Sequence, residues 1–360
     1  MNVLVLNVGS SSLKAALYGD SQARLWQLEQ PRQGPLSDQL AQGLAPQLEH
    51  LGSQGALVGH RLVHGGERFT AATRIEAAVL DELEALSPLA PLHNPPAVAA
   101  IRWLAQERPE LEQWACFDTA FHASLPAAAY SYALPEAWRQ GGCRRYGFHG
   151  LNHQHVAETA LRHWRAEGRS GWPRLISAHL GAGCSLAAIR EGRSVDTSMG
   201  FTPLEGLVMA TRSGSVDPGL LLHLQRRGLS LDALEQGLNQ ASGLLGLSGL
   251  SGDWRELRQA AAGGHDGAQL ALAVFGHRLR SGMGAMAASL GGVDQIALSG
   301  GIGARDAELL QELQGAMAWL GPVQWLQIPA DEEGMIARQV LRASGPLSGP
   351  ADPESGAADG

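Results

Sequence analysis

A strand–turn–strand pattern that occurs twice is the feature that most restricts how this chain can fold. Residues 3–18 consist of an apolar run, a turn rich in glycine and serine, and a second apolar run. The same order returns at residues 175–189, roughly 172 positions later. Apolar runs separated by such turns predict β-hairpins. A hairpin repeated at this distance predicts two related domains, each of which places a turn at a shared cleft.

The two copies can be aligned at their turns. Asn7-Val8-Gly9 matches His179-Leu180-Gly181, and Ser12-Leu13 matches Ser185-Leu186 if the second turn contains one extra residue. Hairpins with glycine and serine turns are common in α/β proteins, so chance similarity remains an alternative at this point.

A third turn of small residues strengthens the case for a phosphate-binding cleft. Apolar residues 295–298 run into Ser299-Gly300-Gly301-Ile302-Gly303, and a helix is predicted from Asp306 to Leu320. A buried strand, a glycine turn and a helix N-terminus together direct backbone N–H groups at phosphate. Helical patterns at 218–227 and 270–290 complete an α/β fold class.

Length and charge limit the possible functions. A chain of 360 residues with 44% apolar and 17% charged residues can form two domains with a cleft between them. The net charge of −8 argues against nucleic acid or an anionic membrane as a partner. The three cysteines lack CxxC spacing, so neither a disulfide framework nor a zinc site is expected.

The chain also lacks the signals of export or membrane insertion. Its first residues have no basic segment before the apolar run, and no apolar run approaches the roughly 20 residues of a membrane span. We therefore expect a cytoplasmic protein. Residues 344–360 are rich in Gly, Pro, Ser and Ala, and this composition predicts a disordered tail.

Three charged residues stand out from their surroundings. Arg61 and Arg212 lie in loops rich in Gly, His or Thr, where a guanidinium fork suits carboxylate or phosphate. Asp118 is a lone acid in an apolar run, which predicts a ligand or a paired charge. Each has a simpler explanation, because either arginine can tie down a loop and Asp118 can cap a helix. The histidines can likewise be ordinary structural residues, namely His60, His64, His93, His122, His149, His153, His155 and His179.

Several longer strings resemble acetate kinases and follow that family's order along the chain. They are residues 7–14 (NVGSSSLK), 59–67 (GHRLVHGGE), 91–96 (PLHNPP), 117–122 (FDTAFH), 145–150 (RYGFHG), 196–206 (DTSMGFTPLEG) and 242–246 (SGLLG). The resemblance implies the duplicated actin-like ATPase fold, in which two ribonuclease-H-like domains hinge around a nucleotide. It also implies a homodimer, ATP with Mg²⁺ (or Mn²⁺ in its place), and reversible formation of acetyl phosphate from acetate.

On this resemblance the expected first domain is 1–124 plus 334–343, and the expected second, nucleotide-side domain is 125–333. Arg61 and Arg212 match residues that hold the acetate carboxylate and the transferring phosphate, and His149 matches a transition-state stabiliser. The acetate methyl pocket is matched by Val63, Leu92, Phe148 and Pro203, and the Mg²⁺ site by Asn7 and Glu332. The ATP contacts are matched by Lys14, His179, Leu180, Gly181, Ala182, Gly183, Asp253, Trp254, Arg255, Gly301, Ile302, Gly303, Ala304 and Arg305.

Asp118 matches the family residue usually described as a proton donor or acceptor. A carboxylate substrate with a pKa of about 4 is already ionised at neutral pH, so no proton needs to be removed. We therefore expect Asp118 to orient metal-bound water or an arginine.

The chain departs from the family pattern on the nucleotide side. Ala182 stands where the family usually has Asn, and Ala304-Arg305 stands where it usually has Glu-Asn. The acetate-side residues are retained. The alternatives are a kinase that prefers propionate, because one methylene in an apolar pocket shifts preference by only about 1–3 kcal/mol, and a nucleotide-binding relative that has lost catalysis.

Overall fold

The computed structural model describes residues 1–9, 12–19, 21–51 and 56–345. The strands are β1 (Val3–Val8), β2 (Ser12–Tyr18), β3 (Arg24–Pro31), β4 (Leu57–Leu62), β5 (Thr73–Arg74), β6 (Glu112–Phe117), β7 (Leu175–Leu180), β8 (Cys184–Arg190), β9 (Arg193–Thr197), β10 (Gln295–Ser299) and β11 (Gln324–Gln327). Short 3₁₀ helices are Ser87–Leu89, Ala120–Ser124 and Ala318–Leu320.

The helices are α1 (Leu36–Leu51), α2 (Ala77–Ala85), α3 (Asn94–Glu107), α4 (Ala127–Tyr130), α5 (Glu136–Gln140), α6 (Gly150–Ala166), α7 (Pro218–Arg226), α8 (Leu231–Gln240), α9 (Gly243–Ser248), α10 (Trp254–Ala262), α11 (Asp266–Leu290), α12 (Gly300–Gly303), α13 (Ala307–Ala316) and α14 (Glu332–Ser344). Among the described residues, no helix has the length and apolar character needed to cross a membrane. The predicted tail lies outside the described residues, except for its first two, and the first of these, Ser344, is the last residue of α14.

Two sheets with the same strand order confirm the duplication. The first sheet is ordered β3-β2-β1-β4-β6-β5 and the second β11-β10-β7-β8-β9. Thus β3-β2-β1-β4-β6 corresponds to β9-β8-β7-β10-β11, with two antiparallel pairings followed by two parallel ones in each. A shared hairpin can arise by chance, but five strands with the same order and directions indicate two copies of one fold.

The register of the two hairpins differs from the one that the sequence alignment predicts. Val8 pairs with Leu13 in the first hairpin, and Leu180 pairs with Cys184 in the second. The second connection is therefore one residue shorter than the first, not one residue longer. The alignment was wrong because a Ser-Leu pair occurs in both strands, whereas the backbone hydrogen bonds fix the register. As a result, Ser185 lies opposite His179.

Helices cover both sheets and bring them together. Leucines of α1 and residues of α3 form a core against β1 and β2, and Met335 and Ile336 of α14 pack on the other face of the same sheet. In the second half, α6 packs on one face and α11 on the other. Helices α6 and α14 also contact each other. The sheets thus lie on either side of this helix pair, and the predicted domain limits remain a prediction.

The third glycine turn and the helix after it form more and shorter helical segments than predicted. Gly300–Gly303 forms the short helix α12, and the predicted helix from Asp306 to Leu320 is instead α13 followed by a 3₁₀ turn. Asp306 caps α13, because its Oδ1 accepts a hydrogen bond from the Leu309 amide at 2.8 Å. Gly300 has a φ of 81°, and a Cβ there would lie 2.4 Å from the Leu180 carbonyl oxygen. Only glycine lets the third turn approach β7 this closely.

Candidate active site

Arg61 and Asp118 form a buried ion pair at one edge of the first sheet. They lie at the carboxyl ends of β4 and β6, which are parallel neighbours. The Arg61 Nε lies 3.0 Å from Asp118 Oδ1, and Nη2 lies 2.7 Å from Oδ2. Asp118 is 1% exposed. The expectation of a paired charge is confirmed, and the alternative of a helix cap is wrong because Thr119 occupies the N-cap position of the following 3₁₀ helix.

The two predicted metal-site residues lie around the same guanidinium. Arg61 Nη1 is 3.4 Å from Asn7 Oδ1 and 3.6 Å from Glu332 Oε2. Asn7 in turn donates from Nδ2 to Glu333 Oε1 at 2.8 Å. Burial alone would lower the pKa of Arg61, but the charges of Asp118 and Glu332 raise it above its ordinary value. Arg61 therefore keeps its positive charge at any physiological pH.

His149 projects from the start of α6 and is linked structurally to Asp118. It has a left-handed φ of 56°, and the next residue, Gly150, donates its amide to the Asp118 carbonyl at 2.8 Å. A Cβ at Gly150 would lie 2.1 Å from that oxygen, so a glycine is needed there. The His149 ring stacks on His179 with ring centres 4.2 Å apart. Burial and then neighbouring His179 hold the pKa of His149 well below its usual range, so the ring is neutral.

Arg212 and His149 face the same turn of the second hairpin. A Cβ placed on Gly183 would be 3.1 Å from His149 Nε2 and 3.5 Å from Arg212 Nη2. Arg212 donates from Nη1 to the Pro203 carbonyl at 2.8 Å and has no carboxylate partner in the part of the chain that the structure describes. Burial lowers the pKa of Arg212. A half-buried guanidinium without a counter-charge favours binding of an anion.

Two arginines from different halves of the chain lower the pKa of the same histidine. Burial, followed by the positive charges of Arg212 and Arg61, lowers the pKa of His93 to about 4. The same two arginines contribute to the lowered pKa of His149. Arg61 and Arg212 therefore lie close enough to His93 and His149 to influence both rings, and an anion bound near these rings would interact with both guanidinium groups.

The predicted methyl pocket is only partly assembled. Val63 packs against the apolar cluster that contains Phe148. Leu92 does not join them, since it is 55% exposed and lines a cavity of about 420 Å³ together with His93 and Pro203. Leu92 belongs to the turn before α3, which begins at Asn94, and this turn leaves the leucine at the surface. The assignment of Leu92 to the methyl pocket therefore stays a prediction.

Most of the predicted nucleotide segments meet at a second cavity, of about 760 Å³. The predicted residues that line it are Gly181, Ala182, Asp253, Trp254, Arg255, Gly301, Ile302 and Arg305. Three others do not reach this cavity: Leu180 and Gly303 are buried, and Lys14 of β2 forms an ion pair with Glu29 at 3.0 Å on the neighbouring strand. The remaining predicted contacts, His179, Gly183 and Ala304, do not line it.

Two of the lining residues have structural roles of their own. Trp254 packs on Phe275 with ring centres 4.8 Å apart, and its indole N–H donates to the Asp306 carboxylate. Asp253 caps α10, because its Oδ1 accepts from the amides of Arg255 and Glu256. These two side chains hold the wall of the cavity, whereas the backbone of the turns and Arg305 remain available for a ligand.

The side chains near Asn7 suit a hard divalent cation that also binds substrate. Asn7, Glu332 and Glu333 supply oxygen donors, and no group of three or more His, Cys, Asp or Glu with metal-binding geometry occurs within the described residues. Mg²⁺ characteristically binds one or two carboxylates and completes its shell with water and substrate phosphates. The donor set therefore fits Mg²⁺ or Mn²⁺ and does not form a closed cage.

Three residues at the site were not assigned roles from the sequence. His93 lies in the recognised string at 91–96, and Glu333 follows Glu332 directly, so both could have been suspected from their positions. Ser185 gave no signal, because its contact with His149 depends on the packing of α6 against β8.

Two matching sheets around a cleft with arginine and histidine side chains define a phosphotransferase of the duplicated actin-like ATPase fold. The model of the acetokinase family matches residues 35–325. An acetate kinase from Synechococcus sp. (strain JA-2-3B'a(2-13)) is 45% identical over an alignment of 361 positions, which covers 89% of this chain and 88% of the relative. The chain belongs to the acetokinase family.

Solved structures agree with this assignment. A propionate kinase from Francisella tularensis subsp. tularensis SCHU S4 superimposes with a TM-score of 0.86 at 34% identity, covering 94% of this chain and 98% of its own. The Porphyromonas gingivalis acetate kinase gives a TM-score of 0.83 at 33% identity, with the same coverage. The duplicated fold expected from the sequence is therefore confirmed.

Proposed function

We propose that this chain is an acetate kinase, which transfers a phosphoryl group reversibly between ATP and acetate. The observation that carries the proposal is the guanidinium of Arg212, which has no carboxylate partner among the described residues and lies with the neutral His149 at the Gly183 turn, while Asp118 holds Arg61. The arrangement provides fixed positive charge and a hydrogen-bonding group where charge develops on a transferring phosphoryl group.

The reaction follows from these positions. One guanidinium holds the acetate carboxylate, whose oxygen attacks the γ-phosphorus as the bond to the ADP oxygen breaks. Arg61 and Arg212 balance the charge on the phosphoryl oxygens. The turn at 181–183 offers the N–H groups of Ala182 and Gly183, since that of Gly181 donates to the Gly183 carbonyl. Mg²⁺, when bound by Asn7, Glu332 and the phosphates, would neutralise further charge on ATP. No proton is transferred, because acetate is already ionised.

Acetate must be distinguished from its homologues by experiment. The Francisella neighbour is described as a propionate kinase, and this specific observation keeps propionate as the second candidate. A hydroxamate assay with ATP and acetate, propionate or butyrate measures kcat/KM for each acid. We expect acetate to give the highest value. A higher value for propionate would support the second candidate, and no acyl phosphate from any acid would support a relative without catalysis.

Activity should depend on added divalent metal. The purified protein is expected to carry no stoichiometric metal, because the described residues offer too few ligands for tight binding in the absence of phosphate. EDTA should abolish turnover, and Mg²⁺ or Mn²⁺ should restore it. Metal analysis of the purified protein and the EDTA titration check this. Tightly bound zinc, or full turnover in EDTA, would contradict the proposed site.

Donor selectivity is expected to be loose. Ala182 and Arg305 both line the nucleotide cavity, and Arg305 has no carboxylate partner within the described residues. Because Ala182 has no side-chain amide, it cannot make a hydrogen bond to the phosphoryl donor. The loss of one such bond weakens the binding constant by up to about tenfold. Arg305 adds a positive charge that attracts any polyanion and does not distinguish one nucleotide base from another. We therefore expect a raised KM for ATP, turnover with GTP, and a smaller turnover with pyrophosphate.

Titration of each donor at saturating acetate measures this selectivity, with Ala182→Asn as the matched variant. The variant should lower the KM for ATP and leave the KM for acetate unchanged. A low-micromolar KM for ATP in the original chain, with no GTP turnover, would show that the substitutions have no effect on the donor.

We further propose a homodimer located in the cytoplasm. Large apolar side chains are exposed in and around α7 and α8, notably Leu220, Leu222 and Leu231. Such a concentration of exposed apolar surface is typical of a protein–protein interface. Light scattering tests whether the particle has twice the 38.0 kDa of one chain, and cell fractionation tests the compartment.

A further inference from the structure

Behind His149 lies a continuous chain of hydrogen-bonded side chains that the proposed reaction does not use directly. His149 Nδ1 is 2.9 Å from Ser185 Oγ, and the same hydroxyl is 2.8 Å from His153 Nε2. His153 Nδ1 is in turn 2.8 Å from Ser177 Oγ. Ser185, His153 and Ser177 are fully buried. This network of hydrogen bonds therefore runs from the cleft into the interior, where water has no access to it.

The fold explains why these four side chains meet. His149 and His153 are four residues apart at the start of α6, so they lie on the same side of the helix. Ser177 of β7 and Ser185 of β8 lie on the sheet face that α6 covers, together with Ala187. Alternate residues of each strand share this face. The network thus joins α6, which begins directly after His149, to strands β7 and β8 of the second sheet.

Counting protons restricts the network to two arrangements. Burial lowers the pKa of both His149 and His153, so each ring carries one proton. The Ser185 hydroxyl has one hydrogen and two lone pairs. If it accepted from both rings, its buried hydrogen would have no acceptor among the described residues, so it donates to one ring and accepts from the other. In one arrangement the hydrogen bonds run outward, from Ser177 to His153, then to Ser185 and then to His149 Nδ1. In the other they run inward, and His149 Nδ1 carries the proton.

The outward arrangement is the one that suits the cleft. It leaves the His149 proton on Nε2, the atom that faces the Gly183 turn and Arg212. Phosphoryl oxygens only accept hydrogen bonds, so a donor at Nε2 stabilises them, whereas a lone pair would repel them. The inward arrangement would place that lone pair against the phosphoryl group.

We propose that Ser185 and His153 are positioning residues that hold His149 in the tautomer with its proton on Nε2, so that a neutral imidazole donates to the transferring phosphoryl group. The inference rests on the proposed function for its kinetic consequence, whereas the tautomer itself can be measured without turnover. Removal of the Ser185 hydroxyl leaves His149 in place but frees Nδ1, so the ring can take either tautomer.

The test is Ser185→Ala, with Ser194→Ala as the matched control. Ser194 is also fully buried and bonds a histidine, since its Oγ is 2.8 Å from His122 Nδ1. It does not belong to the hydrogen-bonded network that ends at His149. Ser185→Ala should lower kcat about five- to tenfold with the KM for acetate unchanged, as the loss of one hydrogen bond predicts. Ser194→Ala should stay within about twofold of the original enzyme.

Two readouts separate positioning from a merely structural role. Nitrogen-15 NMR of histidine-labelled protein with saturating inorganic phosphate should show His149 protonated on Nε2, and a mixture of tautomers in Ser185→Ala. In a His149→Ala background, Ser185→Ala should have no further effect on kcat.

A proton on Nδ1 of His149 in the original protein, an equal loss of activity in Ser194→Ala, or additive losses in the double variant would each overturn the inference. Absence of acyl phosphate formation by the original protein would overturn the proposed function instead, and the NMR result would still decide the tautomer.

Discussion

Replacing Arg61 or Arg212 by alanine is expected to lower kcat by a factor on the order of 10³. The two guanidinium groups approach one cleft from the two halves of the fold, and each affects the pKa of His149 and His93. If they balance charge that develops during transfer, neither can replace the other. The effect is measured as kcat at saturating ATP and acetate, because weaker binding of a substrate raises KM but does not by itself lower kcat.

Lysine variants and a distant arginine provide the controls. Arg61→Lys and Arg212→Lys keep the charge but lose the planar fork, so their kcat should fall between alanine and the original residue. Arg174 pairs with Asp294 at 2.8 Å, away from the cleft, and Arg174→Ala should leave kcat within about twofold. Full activity of Arg61→Ala or Arg212→Ala at saturating acetate would contradict the proposed mechanism.

Replacing Asp118 by alanine is expected to reduce both stability and activity. The carboxylate is 1% exposed, and both of its oxygens bond Arg61. Breaking a buried ion pair costs roughly 3 kcal/mol, at the low end of the usual range because Glu332 remains close to Arg61. A misplaced Arg61 should also lower kcat by roughly 10². Denaturant unfolding and kcat at saturating substrates measure the two effects.

A double variant distinguishes this role from proton transfer. In Arg61→Ala the buried Asp118 charge has no partner, so a further change of Asp118→Asn should leave stability unchanged or increase it. A group that transfers a proton would instead add its own loss of kcat and would make kcat depend on its ionisation. We expect a flat pH profile near neutrality, since acetate, with a pKa of about 4, is already ionised. Additive losses of kcat in the double variant would contradict a purely orienting role.

The sequence predicted the parts of the molecule that depend on neighbouring residues. Apolar runs and glycine turns identified the hairpins at β1–β2 and β7–β8, because a strand and its turn are specified by residues close together. The strings around Arg61, Asp118, His149 and Arg212 identified the family, which the comparisons confirm. These four side chains come from distant parts of the chain, yet the resemblance alone was enough to group them.

Only the tertiary structure decided how these parts fit together. The sequence placed an extra residue in the second hairpin, while hydrogen bonding between strands made it one residue shorter. It did not show that the turn before α3 leaves the Leu92 side chain exposed, beside the cavity that Leu92 lines with Pro203. The Arg61–Asp118 pair and the bond between His149 and Ser185 join residues that are 57 and 36 positions apart. Such contacts depend on how helices pack on sheets, because local residue order fixes an element but not the neighbour against which it packs.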